Sequence, residues 1–162
     1  KLIAMDGSAG LKTAAELVYP HAKIQRCWAH KLRNVSNTCK RAYEKELIDQ
    51  ARAIYQAPNR LKALAEFKAW KRTWQKTAPQ AVRCLEKDLE ECLSFLDCPK
   101  SHQIKIRTTN AIERAFREVR RRTRVFSCFS NIASSERIIY AIFTHLNNNW
   151  KDKPLKQFTQ FD

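Results

Sequence analysis

Two carboxylates stand where the sequence predicts a change from one structural element to the next. Asp6 follows the apolar run Leu2–Met5 and precedes a glycine, so we expect it at the end of a strand. A carboxylate in that position is well placed to bind a metal ion, because the sheet fixes the backbone while the side chain points into the crevice. An Asp-Gly pair is also typical of a plain turn. Taken alone, Asp6 is better explained as a turn residue.

The second carboxylate, Glu113, lies in the first turn of a helix predicted to begin within the segment TTNAIER. Asn110 and Glu113 have the spacing of a capping box, in which the carboxylate accepts a hydrogen bond from a backbone N–H at the helix end. Glu113 can also pair with Arg117 one turn further on. A structural role therefore explains Glu113 adequately when it is considered alone.

Cys27 and His30 form a single C-x-x-H motif. Such a pair supplies half of a zinc site, and neither Cys98 nor His102 follows at the spacing of a common zinc motif. A local hydrogen-bonded role beside the sheet is the favoured interpretation, and a structural zinc site is the alternative. Trp28 lies between the two, and it either packs in the core or stacks on an unpaired base of DNA. The sequence favours neither role for it.

The densest charged feature is a group of six arginines in one predicted helix and its end: Arg114, Arg117, Arg120, Arg121, Arg122 and Arg124. Three of them (Arg114, Arg117 and Arg121) share one helical face beside Glu113. A solvated basic face is the ordinary explanation of such a run. The guanidinium fork, however, suits phosphate oxygens, and each neutralised phosphate releases counterions. We therefore predict contact with a phosphate backbone.

Composition restricts the class of protein. The chain has 162 residues, 44% of them hydrophobic, and its only two glycines are Gly7 and Gly10, which favours a globular, helix-rich domain. Its formal charge of +15 indicates a polyanionic partner, with nucleic acid as the first candidate. Six scattered cysteines without a signal-peptide pattern predict mostly free thiols in a reducing cytosolic or nuclear compartment. No apolar run approaches the length of a membrane helix.

The order of elements predicts a strand, a helix and a second strand, and then mainly helices. Strands are expected at residues 1–6 and 23–28, with a helix capped by Ser8 between them. Long helices with apolar stripes follow between residues 29 and 99. A further helix begins near Asn110 and buries Ile112, Ala115, Phe116 and Val119. The last helix is expected to end at the asparagine run 147–149.

Several ordered motifs resemble one known family. The segment DGSAGLKTAAELVYPHAKIQRCWAHKLRNV resembles the second-aspartate region of mutator-type bacterial insertion-sequence transposases. The segment FLDCPKSHQIKIRTTNAIERAFREVRRRTRVFSCF resembles their third-carboxylate region, and AIYQAPNRLKALAEFKAWKRTW their helical insert. The resemblance covers nearly the whole chain. It implies that Asp6 is the second metal-binding acid, Glu113 the third, and Cys27 and His30 the C-x-x-H of the family.

The resemblance also implies a fold. We expect an α/β protein, mostly α by content, with an incomplete ribonuclease-H-like core of two strands and a large helical insertion. The implied domains are residues 1–33 (part of the core), 34–99 (the insertion), 100–150 (core helices with the third carboxylate) and 151–162 (a C-terminal tail). The first catalytic aspartate is expected upstream of Lys1, so we expect that this chain does not cut DNA by itself.

The implied chemistry is metal-dependent cleavage and strand transfer at the terminal repeats of a transposable element. Two divalent ions, Mg²⁺ with Mn²⁺ as a substitute, are held by carboxylates because hard cations prefer oxygen ligands. The implied partners are terminal inverted repeats, target DNA and further copies of the full-length protein in a bacterial cytoplasm at the nucleoid, without a membrane. The alternative is a truncated remnant that only binds DNA or dimerises. An RNA-binding protein is less favoured, because no RNP-type or GXXG motif occurs.

Overall fold

The computed structural model describes residues 1–126 and 128–151. These residues divide into two compact units, Lys1–Thr109 and the described residues from Asn110 onward. The protein is mostly helical. Each unit has its own packing. Residues 152–162 of the predicted tail lie outside the described residues.

The first unit begins with a strand–helix–strand arrangement. Strand β1 (Leu2–Met5), helix α1 (Ala9–Val18) and strand β2 (Lys23–Arg26) follow one another, and the two strands are parallel, with Leu2 opposite Lys23 and Met5 opposite Arg26. Parallel neighbours need a crossover connection, which α1 provides. The predicted order of strand, helix and second strand in a helix-rich chain is therefore confirmed. A ribonuclease-H-like core stays a prediction.

Helix α1 differs from expectation in two respects. Ser8 lies at the N-cap position, but its side chain makes no capping hydrogen bond. The apolar face of α1 is largely uncovered, with Leu17 77% and Val18 65% exposed, and only Ala15 of this helix is buried. Helical spacing shows which residues share a face, but it does not show whether another element covers that face.

Helices make up the rest of the first unit. They are α2 (Trp28–Ser36), α3 (Arg41–Gln56), α4 (Arg60–Trp74), α5 (Pro79–Lys87), α6 (Leu89–Cys92) and α7 (Lys100–Ile106), with a 3-10 turn at Ser94–Asp97 between the last two. The sequence predicted one helix through residues 35–54 and another through 81–96. The structure interrupts the first between α2 and α3 and the second near Asp88. The polar stretch before Thr108 also contains the short helix α7.

One continuous hydrophobic core joins α2 to the helices that follow it. The core contains Trp28 and Val35 together with Leu47, Phe67, Trp70, Trp74, Leu85 and Phe95. Both tryptophans of α4 also bury a satisfied polar group. The indole N–H of Trp70 donates to the carbonyl of Leu47 at 3.0 Å, and that of Trp74 donates to the Gln50 amide oxygen at 2.8 Å. Trp70 and Trp74 thus pack in the core, as their place on the apolar stripe of this helix predicts.

The second unit contains helices α8 (Asn110–Thr123) and α9 (Ile132–Lys151). Phe116 of α8 meets Phe143 of α9 edge to face, with ring centroids 6.2 Å apart. The predicted buried stripe of α8 is partly wrong, because Ala115 is buried whereas Ile112 and Phe116 are 54% and 48% exposed. The asparagine run at 147–149 does not end the last helix, which continues to Lys151.

Candidate active-site elements and basic surfaces

Asp6 directly follows β1, as its sequence context predicts. Its side chain is exposed, and its Oδ1 accepts a hydrogen bond from the backbone N–H of Ser8 at 2.9 Å. Gly7 next to it has a φ of +96°, which is a glycine conformation. Asp6 therefore occupies a turn and a strand end at once. It makes no ion pair with any residue that the structure describes, so its carboxylate is available as an oxygen ligand.

Arg26, the last residue of β2, supports the loop that follows Asp6. Its Nη1 donates to the carbonyl oxygen of Gly7 at 3.1 Å. A Cβ on Gly7 would lie 1.7 Å from Arg26 Cζ, which is far closer than two non-bonded carbon atoms can approach. Arg26 Nη2 also lies 3.8 Å from Asp88 Oδ2. Arg26 was not predicted as a functional residue, although the sequence contains two signals for it, a glycine after the first strand and a cation at the end of the second.

Asp88 connects this loop to a buried lysine. The Lys31 ammonium pairs with Asp88 Oδ2, and the Lys31 side chain is only 3% exposed. Burial raises the pKa of the Asp88 carboxyl, but the hydrogen bond and charge of Lys31, aided by Arg26, outweigh burial, so this pKa lies below its usual value. A charge buried without a partner is costly. The Lys31–Asp88 pair therefore holds α2 against the chain between α5 and α6.

The C-x-x-H motif begins at the point where β2 ends and α2 starts. Cys27 is completely buried, and its Sγ accepts hydrogen bonds from the backbone N–H and the hydroxyl of Thr109, both at 3.3 Å. The Thr109 hydroxyl also lies 3.5 Å from Nδ1 of His30. These contacts are the local hydrogen-bonded arrangement that the sequence favoured for Cys27 and His30. A zinc ion at this motif stays a prediction.

Trp28 is a core residue, so of the two roles that the sequence left open the structure shows core packing and not the predicted DNA contact. Its side chain is 1% exposed, its indole N–H donates to the carbonyl of Cys92 at 2.7 Å, and its ring packs on Tyr55 at a centroid distance of 5.0 Å. A base needs an exposed aromatic face on which to stack. Trp28 offers none in this arrangement.

The second unit carries Glu113 in the first turn of α8, and the arginine-rich part of the same helix follows. Asp6 and Glu113 belong to different units, so their meeting at one metal centre stays a prediction.

Five arginines in the second half of α8 and directly after it differ in their partners. Arg121 and Arg122 both pair with Glu118, at 3.0 and 2.5 Å. The hydrogen bond from Arg121 is the main reason that the pKa of Glu118 lies below its usual value. Arg117, Arg120 and Arg124 have no carboxylate partner within the described part of the chain.

A depression of about 690 Å³ runs along this helix, lined by Arg117, Arg120, Arg121, Thr123 and Arg124. The four arginines are spaced by three, four and seven residues, so they lie on one side of α8. The sequence placed Arg114, Arg117 and Arg121 on one face. The depression keeps two of these and adds Arg120 and Arg124, and it has the charge and the shape to receive phosphate groups.

Comparison with known proteins decides the family. The family described as "Transposase, Mutator family" matches residues 1–153. The chain belongs to the mutator family of transposases. The predicted resemblance is therefore confirmed.

This mutator-family chain is similar to several insertion-sequence transposases. The transposase for insertion sequence element IS406 of Burkholderia multivorans is 39% identical over 150 residues, which are 92% of this chain and 39% of that protein. The transposase for ISRM5 of Rhizobium meliloti is 32% identical over 152 residues, 94% of this chain and 38% of that protein. The transposase for IST2 of Acidithiobacillus ferrooxidans is 40% identical over 126 residues, 77% of this chain and 43% of that protein. The mutator-family chain thus spans about two fifths of the length of these relatives.

Two further observations on the mutator-family chain concern its cysteines and the character of its helices. All six cysteines are free thiols, as predicted, and burial raises the pKa of the Cys92 thiol to about 12, so Cys92 is not a nucleophile at neutral pH. None of the described helices combines the length and the apolar character needed to cross a membrane.

Proposed function

We propose that this chain forms the catalytic part of a transposase that cleaves DNA and transfers strands at the terminal repeats of its element. The observation that carries the proposal is the exposed Asp6 carboxylate at the end of β1, in a chain that matches the transposase family over residues 1–153. Partners of the complete protein would be the terminal inverted repeats, target DNA and further copies of itself, at the nucleoid of a bacterial cell.

The proposed cofactor is a pair of divalent cations, Mg²⁺ or in its place Mn²⁺. The chemistry of the donors suits them, because Asp6 offers an exposed carboxylate with no competing ion pair among the described residues, and hard cations prefer oxygen ligands. Asp6 and Glu113 would hold the ions within a ribonuclease-H-like core. Bound ions of this kind activate an attacking hydroxyl and stabilise a leaving oxygen during phosphoryl transfer.

The remaining residues have binding and positioning roles in this proposal. Arg26 holds the Gly7 carbonyl, so it fixes the direction in which the Asp6 side chain leaves the strand. Arg117 and Arg120 of α8 and Arg124 directly after it would neutralise phosphates of the DNA backbone. The indole of Trp28 and the thiol of Cys27 stabilise the junction between β2 and α2, and they take no direct part in the chemistry.

The test is strand cleavage by the complete gene product that contains this sequence. Asp6→Asn keeps the size of the side chain and its hydrogen bond from Ser8 but removes a charged ligand, so we expect cleavage to fall at least a hundredfold while binding to terminal-repeat DNA persists. Glu66→Gln, which neutralises an exposed carboxylate on α4, is the matched control and should cleave normally. Cleavage by Asp6→Asn at the rate of the control would refute the assignment of Asp6.

A second candidate function is a module that binds DNA or dimerises without catalysis. The arginine-lined depression of α8 favours this function, because phosphate binding there requires neither Asp6 nor Glu113. The same experiment separates the two functions. A module of this kind would leave the complete gene product without cleavage activity both before and after Asp6→Asn.

A further inference from the structure

A groove with a basic rim runs between α2 and α3 in the first unit. Its volume is about 600 Å³. Its apolar part includes Leu32 and Ile48, and Tyr55 lies at its end. Its rim carries four cations, namely Arg33 of α2 and Arg41, Lys45 and Arg52 of α3. The lining residues recur at intervals of three or four in each helix, so one side of α2 and one side of α3 face the same groove.

Two carboxylates also lie on this rim, and both already have partners. Glu44 Oε1 accepts a hydrogen bond from the Ser36 hydroxyl at 2.6 Å, and Asp49 Oδ1 lies 3.0 Å from Arg52 Nη1. Arg33, Arg41 and Lys45 are exposed, and no carboxylate that the structure describes lies within ion-pair distance of them. Three of the four cations on the rim therefore form no ion pair with a described carboxylate, and the rim carries four cations against two carboxylates. Single exposed cations are common on protein surfaces, but three around one groove form a site for an anion.

The start of α3 adds to this positive potential. Arg41 is the first residue of the helix, and Lys40 occupies the N-cap position without a capping hydrogen bond from its side chain. The N-terminus of a helix carries a partial positive charge, and the side chains of Lys40 and Arg41 add two full positive charges beside it. A bound anion would reduce the repulsion among these charges. Glu44 in the first turn offsets part of this charge, and its Oε1 accepts a hydrogen bond from the Ser36 hydroxyl.

The shape of the groove fits an extended polyanion better than a single small anion. Arg41 and Arg52 are eleven residues apart on one helix, which corresponds to about 16 Å at 1.5 Å per residue. One strand of a DNA duplex advances about 3.4 Å along the duplex axis per phosphate, so a length of this order spans several phosphates. The apolar residues between the cations suit the sugar faces of such a strand, whereas a small anion would leave most of the groove empty.

We propose that the α2–α3 groove binds the phosphate backbone of DNA and is a second DNA-contacting surface in addition to the arginines of α8. This inference rests on the proposed function as a transposase. It adds that α2 and α3 contact the DNA directly.

The test measures binding of the 162-residue chain to a fluorescent 30-base-pair duplex of arbitrary sequence over a range of KCl concentrations. The variant carries Arg33→Ala, Arg41→Ala and Lys45→Ala together. We expect its affinity to fall at least tenfold and the slope of log affinity against log salt to flatten by about 2 to 3, because each lost phosphate contact removes about 0.9 from the slope. The single reversal Lys45→Glu should weaken binding in the same direction.

The matched control removes the same number of charges from the same unit outside the groove. Lys62→Ala, Lys76→Ala and Arg83→Ala replace three exposed cations, and we expect this variant to keep most of the affinity and the salt slope. Circular dichroism and thermal melting verify that both triple variants are folded. If the groove variant is folded and binds like the control, the proposal is wrong. If both variants lose affinity equally, the overall charge binds DNA and the groove has no special role.

The remaining outcomes distinguish the partners and the two proposals. Vesicles containing anionic lipid serve as a second probe, and groove-dependent binding to vesicles without groove-dependent binding to the duplex would overturn the choice of DNA. Duplex binding needs no cleavage, so a normal cleavage rate in Asp6→Asn would refute the catalytic assignment while leaving this measurement intact. Conversely, an unchanged duplex affinity in the groove variant would refute the groove alone.

Discussion

Arg26 Nη1 donates a hydrogen bond to the carbonyl oxygen of Gly7 across a distance of 3.1 Å, at the loop that directly follows Asp6. The guanidinium lies where the side chain of any other residue at position 7 would begin. Through Asp88 it is also connected to the buried Lys31. One cation at the end of β2 thus links the loop that carries the proposed metal ligand to the helices of the first unit.

Replacing Gly7 tests this link directly. Gly7→Ala must adopt an unfavourable positive φ and must also displace the Arg26 guanidinium, so we expect the free energy of unfolding to fall by about 1 to 3 kcal/mol. Gly10→Ala is the matched control, because a Cβ at Gly10 meets no atom within 4 Å and Gly10 lies within α1. The control should gain about 0.5 to 1 kcal/mol. Chemical denaturation measures both, and equal effects would show that Arg26 does not restrict position 7.

The Lys31–Asp88 pair predicts a dependence of stability on acid. The pKa of Asp88 is lowered in the folded protein, so its contribution to stability is fully present above the ordinary carboxyl pKa of 3.8 and disappears as the pH falls through the lower, folded value. Asp88→Asn leaves Lys31 buried without a carboxylate and should reduce the free energy of unfolding at pH 7 by about 3 kcal/mol.

The control for this prediction is Asp49→Asn, which breaks an exposed pair with Arg52 and should cost about 0 to 1 kcal/mol. The difference in stability between the wild type and Asp88→Asn should shrink below the ordinary carboxyl pKa. A difference that stays constant from pH 7 to pH 3 would show that the charge of Asp88 is not what stabilises the fold.

Local patterns in the sequence predicted much of this fold. The apolar run before Asp6 indicated β1, and the order strand, helix, strand indicated β2 as a second strand. Pro58 and Pro79 mark the breaks before and after α4, because proline lacks an N–H and ends helices. Trp70 and Trp74 were expected in the core because they lie on the apolar stripe of that helix.

Contacts between residues far apart in the chain could not be predicted in the same way. Nothing in the local pattern pairs Lys31 with Asp88, and a lysine at a helical position is normally expected in solvent. Trp28 was undecided because its burial depends on Tyr55 and Cys92, which approach it only after the helices pack. The helical period of α1 was predicted correctly, but the burial of its apolar face was not, because Leu17 and Val18 are exposed.

The burial of Trp28 leads to a prediction that separates packing from DNA contact. Trp28→Phe keeps most of the ring volume but removes the hydrogen bond to the Cys92 carbonyl, so stability should fall by about 1 kcal/mol. The loss stays modest because that carbonyl also accepts a hydrogen bond from Gln25. Affinity for single-stranded DNA, measured by fluorescence anisotropy, should not change. A clear loss of that affinity at unchanged stability would restore base stacking as the role of Trp28.

The arginines of α8 should differ in their effect on DNA binding according to their partners. Arg117→Ala and Arg124→Ala each remove a cation that has no carboxylate partner in the described residues, so each should flatten the salt slope of duplex binding by about 0.9. Arg122→Ala removes a cation held by Glu118. Its effect should be smaller, because this charge is already partly neutralised.

Arg137→Ala on α9, an exposed cation outside the depression, is the control and should leave the slope unchanged. If all four variants flatten the slope equally, DNA responds to net charge alone, and the depression lined by Arg117 and Arg124 is not a binding surface.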